Sequence, residues 1–94
     1  MFKFLKKNKK PLKYKCICCG YYTFDSKPMG DCAICPVCFW EDDPLQAADP
    51  NWEGGANTVS LNQARENYKK FGACQEEFIK SVRQPKEDEL TGLE

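Results

Sequence analysis

The sequence predicts a small α+β domain, and three features of its 94 residues lead to that fold class. Two pairs of closely spaced cysteines enclose a short segment with strand character, which predicts a β-hairpin. Apolar residues recur at helical spacing after residue 60, which predicts two C-terminal helices packed on the hairpin. A chain of this length buries only about 60 to 65 per cent of its unfolded surface, so its thin core needs a covalent or metal cross-link.

The cysteine pairs have a spacing that is typical of a tetrahedral metal site. Cys16 and Cys19 are separated by two residues, as are Cys35 and Cys38, and fifteen residues lie between the pairs. Two intervening residues let a tight turn direct both sulfurs of a pair towards one ion, and the long gap lets a hairpin bring the pairs together. We therefore predict that these four cysteines hold one structural Zn²⁺ ion in a zinc-ribbon-like β-hairpin with two knuckles.

The residues beside these cysteines suit tight turns. Gly20 follows the first pair, where its freedom to adopt a positive φ relaxes the turn. Pro36 lies inside the second pair, where its ring fixes φ and stiffens the backbone. Both residues strengthen the prediction of two knuckles.

Three further cysteines exceed the four ligands that a structural zinc ion needs. Cys18 offers an alternative register with Cys16, although that spacing is less usual for a ligand pair. Cys32 and Cys74 lie outside both pairs. The roles of these three thiols stay open between spare ligands, a redox pair and small buried residues.

The N-terminal residues indicate the cellular compartment and the redox state of the thiols. The first fifteen residues carry only scattered apolar side chains and no small-residue cleavage site, so they do not resemble a secretory signal. No transmembrane run follows. We expect a cytoplasmic protein, where thiols stay reduced and metal binding is favoured over disulfides.

Charge is distributed unevenly along the chain. Seven of the fourteen basic residues lie in the first fifteen positions, which contain no acid, so the remainder carries an excess of seven acids. We predict a flexible basic arm over residues 1–13, a cysteine-rich zinc-binding domain over residues 14–86 and a polar tail over residues 87–94. The arm suits phosphate or anionic lipid, but the acidic body opposes docking on a polyanion, so we expect no nucleic-acid partner.

The segment between the cysteine pairs predicts a strand and a turn. Residues 21–24, with the sequence YYTF, have the aromatic and β-branched character of a strand. The residues that follow favour a turn, through Asp25, Lys27, Pro28 and Gly30.

An acidic stretch with two tryptophans follows the second cysteine pair. Its prolines, adjacent glycines, Asp and Asn residues predict an irregular loop over residues 39–58. No spacing in it matches a calcium loop, and the chain has no histidine, so we predict no catalytic residues. Trp40 and Trp52 are predicted to pack in the core. This loop is also the best candidate for a surface that binds a protein partner.

Two helices are predicted in the C-terminal third. Ser60 is predicted to be the N-cap of the first helix, with Gln63 three residues later in a capping-box pattern. Gly72 is predicted to end this helix. Between them, one face carries Leu61, Ala64, Tyr68 and Phe71. The second helix is predicted from about Gln75 to Gln84, ended by Pro85, with an inner side formed by Phe78, Ile79 and Val82.

Several of these motifs together resemble the bacterial cysteine-rich CPCC family. The likeness covers about residues 14–86, and its most distinctive parts are CPVCFWEDDP and EGGAN.VSLNQAREN. The resemblance implies a zinc-ribbon-like, zinc-binding domain whose biochemical role is not established, and it implies no enzyme activity. The sequence departs from the name motif of the family at Ile17, where the family has proline.

The two cysteine turns, CICCGYY and CPVCF, also resemble the ligand turns of rubredoxin, an iron electron carrier. Four thiolates suit iron as well as zinc, so spacing alone does not choose the metal. Phe39 and Trp40 replace the glycine expected after the second turn, and the intervening loop is shorter. We therefore expect a zinc-binding domain with a protein partner of unknown identity, and keep a rubredoxin-like iron or thiol redox protein as the alternative.

Overall fold

The computed structural model describes residues 13–28 and 32–91. Two strands are followed by four helical segments, in the order β1 (Tyr14–Lys15), β2 (Tyr22–Phe24), α1 (Pro44–Ala48), α2 (Leu61–Phe71), a 3₁₀ helix (Glu76–Ser81) and α3 (Glu87–Thr91). This order confirms the predicted small α+β class. The basic arm lies outside the described residues except for Lys13, and so does Gly30 of the predicted turn.

The two strands form an antiparallel hairpin whose turn is the first cysteine turn. Tyr14 pairs with Phe24, and Lys15 pairs with Tyr22, so Thr23 is the extra residue of a β-bulge. The connection between the strands is residues 16–21, which we call the first knuckle. The hairpin therefore carries its cysteine pair at its tip.

The second cysteine turn is built in the same way on a smaller scale. An antiparallel bridge between Ile34 and Glu41 closes residues 35–40, which we call the second knuckle. Each pair of cysteines is thus presented by the turn of its own hairpin.

A short helix interrupts the stretch that the sequence predicts as irregular. Asp43 is the N-cap of α1, because its Oδ1 accepts the backbone N–H groups of Leu45 and Gln46. Its Oδ2 accepts the N–H of Ala56 at 2.8 Å, which ties the far side of the loop to the helix. Pro44 at the first helical position suits this start.

Two buried amides complete the loop. The Gln46 side chain is fully buried, and its Nε2, which has two N–H groups, lies within 3.2 Å of three carbonyl oxygens, those of Trp52, Asn57 and Val59. The Asn57 amide donates to the carbonyl of Glu41 and to Oε1 of Gln46. Because these polar groups are buried and paired, they fix the path of residues 41–59, which we call the acidic loop.

The two tryptophans of this region have different environments. Trp40 is 1% exposed and lies in the core as predicted, whereas Trp52 is 40% exposed, so its predicted burial is wrong. The backbone carbonyl of Trp52 accepts a hydrogen bond from the Gln46 side chain. This hydrogen bond fixes the backbone of Trp52 but does not bury its ring.

The predicted N-terminal and C-terminal signals of α2 are confirmed. The hydroxyl of Ser60 accepts the N–H of Gln63, and Gly72 ends the helix in the left-handed conformation at φ 83°. Leu61 and Ala64 are buried on its inner face. The helix contacts the 3₁₀ helix and the first knuckle, so the strands of the hairpin are not its main support.

The second predicted helix is shorter than the sequence suggests and has 3₁₀ geometry. It spans Glu76–Ser81, and Ile79 on its predicted inner side is 42% exposed. Both ends of this segment are held by the second knuckle, because the N–H of Cys74 donates to the carbonyl of Cys38 and that of Arg83 to the carbonyl of Pro36. These tertiary bonds fix the path, and a ten-residue α-helix does not form between them.

Part of the predicted polar tail packs on the domain as a helix. Glu87–Thr91 form α3, which packs against β2, while residues 92–94 lie outside the described part. The Glu89 side chain is only 2% exposed, and its carboxylate accepts two hydrogen bonds of 2.8 Å from the Arg83 guanidinium. It also accepts the N–H of Lys86 at 2.8 Å. A bidentate ion pair, whose Glu89 carboxylate is buried and whose Arg83 side chain is partly exposed, therefore holds this helix to the domain.

The core joins both hairpins to α2. It consists of Cys16, Cys18, Phe24, Cys35, Val37, Cys38, Trp40, Leu61, Ala64 and Cys74. Half of its members are cysteines, so the sulfur atoms themselves fill the centre. In the described part of the chain, no helix has the length and apolar character needed to cross a bilayer.

The ion pair of α3 leads to a stability prediction. We expect Glu89→Gln to lower the free energy of unfolding at pH 7 by about 1 to 2 kcal/mol, because the contact with Arg83 loses its charge while solvent at the partly exposed guanidinium screens part of the effect. The Arg83 guanidinium holds the pKa of Glu89 at about 2, below its ordinary value of 4.5. The contribution is therefore complete above about pH 4.5 and is lost as the pH falls through about 2.

Urea unfolding of the parent and the variant checks this prediction. The exposed Glu87 of the same helix supplies the control, since we expect Glu87→Gln to change stability by less than about 0.5 kcal/mol. Equal effects of the two substitutions would contradict the role of the Arg83–Glu89 pair.

Candidate metal centre

The first knuckle is a tight turn closed by two backbone hydrogen bonds. The N–H of Gly20 donates to the carbonyl of Cys16, and the N–H of Cys16 donates to the carbonyl of Tyr21, each at 2.9 Å. Gly20 has a φ of 85°, as its predicted role requires. This closure turns the side chains of Cys16 and Cys19 to the same side.

The second knuckle repeats the pattern residue by residue. The N–H of Phe39 donates to the carbonyl of Cys35 at 2.8 Å, and the N–H of Cys35 donates to the carbonyl of Trp40 at 2.9 Å. Backbone N–H groups also point at sulfur, from Val37 to Cys35 and from Trp40 to Cys38, both at 3.4 Å. Such donors stabilise thiolate charge, as metal-bound cysteines require.

Phe39 takes the place of the glycine in this second turn. Its φ is 72°, the left-handed conformation that Gly20 adopts in the first knuckle. The Phe39 ring packs on Phe78, with 4.5 Å between centroids, and this contact offsets the backbone strain. The absence of glycine after the second pair therefore does not distinguish this turn from a rubredoxin turn.

The two knuckles bring four sulfur atoms together. The Sγ atoms of Cys16, Cys19, Cys35 and Cys38 all lie within 4.8 Å of one another. The Sγ atoms of Cys16 and Cys38 are 3.6 Å apart, and those of Cys19 and Cys35 are 3.8 Å apart. A tetrahedron with metal–sulfur bonds of about 2.3 Å has edges of about 3.8 Å, so the separations fit one ion. They are far longer than the roughly 2.05 Å of a disulfide.

The close sulfurs affect the ionisation of one another. Hydrogen bonding with the Cys16 thiol, the largest influence, lowers the pKa of Cys35 and raises the pKa of Cys38. Four sulfurs this close cannot all be ionised unless a cation offsets their mutual repulsion. The cluster thus has the donor atoms, the geometry and the charge requirement of a site for a thiolate-binding metal.

Helix α2 covers one side of the cluster. The Nε of Arg65 donates to the carbonyl of Ile17 at 2.9 Å, and the ring of Tyr68 meets the ring of Tyr21 edge-on at 6.4 Å. Burial raises the pKa of Tyr68 to about 12, so this phenol stays neutral. A cleft of about 310 Å³ remains between α2 and the first knuckle, and Cys19 reaches it as the least buried of the four cysteines.

The other three cysteines lie outside the cluster of four. Cys18 is buried within the first knuckle but does not join the four clustered sulfurs, so the alternative register with Cys16 is not the one that the structure adopts. Cys32 is exposed. Cys74 is fully buried, and burial raises the pKa of its thiol to about 12, which makes it a poor nucleophile.

A comparison with protein-family models finds one whose description is "Cysteine-rich CPCC", matching residues 14–89. The chain belongs to the cysteine-rich CPCC family. The match includes both knuckles, the acidic loop, α2, the 3₁₀ helix and α3 as far as Glu89. The matched range therefore includes the Arg83–Glu89 pair. No match is found among curated proteins.

One contact of the cluster of four cysteines could not be predicted from the cysteine spacing. The hydroxyl of Thr23 lies 3.0 Å from the Sγ of Cys35. Thr23 stands between aromatic residues in β2, and no metal-binding motif includes it. Only the pairing of the hairpins brings it to the second knuckle.

Proposed function

We propose that this chain is a small zinc-binding protein in which one Zn²⁺ ion, held by Cys16, Cys19, Cys35 and Cys38, cross-links the two knuckles. The observation that carries the proposal is the convergence of these four Sγ atoms within 4.8 Å. A closed tetrathiolate site stabilises a fold and leaves no position for substrate. We therefore assign zinc a structural role and the protein no catalytic one.

Zinc is preferred over iron on general chemical grounds. The sulfur separations suit both metals, and Phe39 adopts the turn that a rubredoxin-like site needs. At a given set of donors, however, Zn²⁺ binds more tightly than Fe²⁺. A reducing compartment such as the cytoplasm would keep the seven cysteines available as thiols. A rubredoxin-like iron protein is the alternative.

The acidic loop supports a second part of the proposal, which is binding of a basic protein segment. Trp52 and Leu45 are 40% and 57% exposed, and the loop that carries them is held by buried hydrogen bonds. Residues 32–64 contain no lysine or arginine, while Asp49 and Glu53 are exposed acids of this loop. Apolar side chains among carboxylates suit a partner peptide that carries both lysine and apolar residues.

Metal content and ligand substitution test the zinc site. We expect one zinc ion per chain by elemental analysis, and a colourless protein. Cys35→Ser should remove the metal and most of the native structure, because metal binding contributes on the order of 10 to 16 kcal/mol in small zinc domains. Cys32→Ser is the matched control, since Cys32 is exposed and outside the cluster, and we expect it to keep its zinc.

Two outcomes decide between the candidates. Equal zinc content in the two variants would contradict the ligand assignment. A red protein that contains iron would support the rubredoxin-like alternative. Cys74→Ser would be a poorer control than Cys32→Ser, because it places a hydroxyl in a fully buried position.

A peptide titration tests the acidic loop. We expect the full chain to bind a synthetic peptide of alternating lysine and leucine and to ignore the matched peptide with glutamate for lysine. Trp52→Ala should weaken binding at least about tenfold if Trp52 is an anchor of the interface, and added salt should weaken it further. Calorimetry measures both effects.

Leu90 supplies the control for this titration, because it is another large exposed apolar residue but lies on α3, outside the acidic loop. Leu90→Ala should bind the lysine peptide as the parent does. The proposed partner chemistry would be refuted if Trp52→Ala left the affinity for the lysine peptide unchanged. It would also be refuted if the lysine and glutamate peptides bound equally well.

A further inference from the structure

A hydroxyl from the first hairpin reaches a sulfur of the second knuckle. Thr23 is 6% exposed, and its Oγ1 lies 3.0 Å from the Sγ of Cys35. Thr23 belongs to β2, twelve residues before Cys35 in the chain, so this contact joins the two hairpins directly. It is short for a hydrogen bond that involves sulfur.

Metal binding would determine the direction of this hydrogen bond. A cysteine that ligates zinc is a thiolate and has no proton to donate. The Thr23 hydroxyl must then donate, and Cys35 accepts. The same sulfur also receives the backbone N–H of Val37 at 3.4 Å, so two donors approach it in addition to the metal.

We propose that Thr23 is a positioning residue of the metal centre, whose hydroxyl holds Cys35 in its ligating orientation and partly offsets the charge on its sulfur. A zinc ion with four thiolates has a net charge of −2, and this charge is buried with three of the four cysteines. Hydrogen-bond donors to ligand sulfur spread such a charge and raise metal affinity. This inference rests on the proposed zinc site.

A purely structural role for Thr23 predicts a different result. A buried hydroxyl needs a partner, and Cys35 is within reach, so the contact could serve only to satisfy Thr23. Loss of the hydroxyl would then lower the stability of the hairpin, and with it the apparent zinc affinity. The charge-transfer spectrum of the cobalt-loaded protein would stay that of the parent. The two roles are separated by measurements on the metal itself.

Thr23→Val tests the inference, because valine keeps the branched shape of threonine and lacks its hydroxyl. We expect the zinc affinity, measured by competition with a chromophoric chelator, to fall about 10- to 100-fold. Zinc release should accelerate, and in the Co²⁺-loaded protein the sulfur-to-cobalt charge-transfer band should shift. Thr23→Ser, which keeps the hydroxyl, should restore the affinity and the band of the parent.

Thr58→Val is the control for loss of a hydroxyl elsewhere, since Thr58 is exposed in the acidic loop, and we expect it to match the parent. Thr23→Ala supplies the same test if the valine variant does not fold. Unchanged zinc affinity and cobalt spectrum on loss of the Thr23 hydroxyl would overturn the inference. Equal loss in the serine and valine variants would also overturn it, because packing would then account for the effect.

The same experiment separates this inference from the proposed function. A parent protein that binds neither zinc nor cobalt refutes both. A parent that binds metal tightly, together with a valine variant that binds it equally well, refutes only the role of Thr23.

Discussion

The whole structure depends on the convergence of four sulfur atoms at the tips of two short hairpins. A two-residue and a three-residue strand cannot hold a domain together by themselves. The cluster joins the first hairpin to the second. The second knuckle then fixes both ends of the 3₁₀ helix, through the bonds from Cys74 to Cys38 and from Arg83 to Pro36. A metal in this cluster would contribute on the order of 10 to 16 kcal/mol, as much as the whole net stability of a typical domain.

The acidic loop is organised by different forces. Its path is fixed by the carboxylate of Asp43 and the side-chain amides of Gln46 and Asn57. Their hydrogen bonds join residues of the same loop, 41–59, and not the clustered sulfur atoms. Gly55 allows this packing, because a Cβ there would lie 2.5 Å from the carboxylate of Asp43. This division agrees with the two parts of the proposed function, a structural metal and a separate loop that binds a partner.

The features that follow local rules could be predicted from the sequence. The doubled two-residue spacing identifies the four clustered cysteines, and the signals at Ser60 and Gly72 locate both ends of α2. These features can be predicted because each depends on residues that lie within about four positions of one another in the sequence. The family resemblance also extends over most of the chain, in agreement with the match to the CPCC model.

The features that depend on distant partners could not be predicted in this way. Whether the Trp52 ring is buried depends on how Gln46 holds the loop, and the helical state of residues 87–91 depends on the pairing of Glu89 with Arg83. The contact of Thr23 with Cys35 requires both hairpins to be in place. The left-handed backbone of Phe39 could not be predicted either, since its ring packs on Phe78, which is distant in the sequence.

Removal of the metal under reducing conditions tests the central claim most directly. An amide NMR spectrum of the metal-loaded chain is compared with that of the same sample after a chelator has extracted the ion. The account predicts collapse of the dispersed signals of both knuckles, β2 and the 3₁₀ helix, with recovery when zinc is returned. A spectrum that keeps its native dispersion after complete extraction would contradict the claim that the sulfur-bound metal holds this fold together.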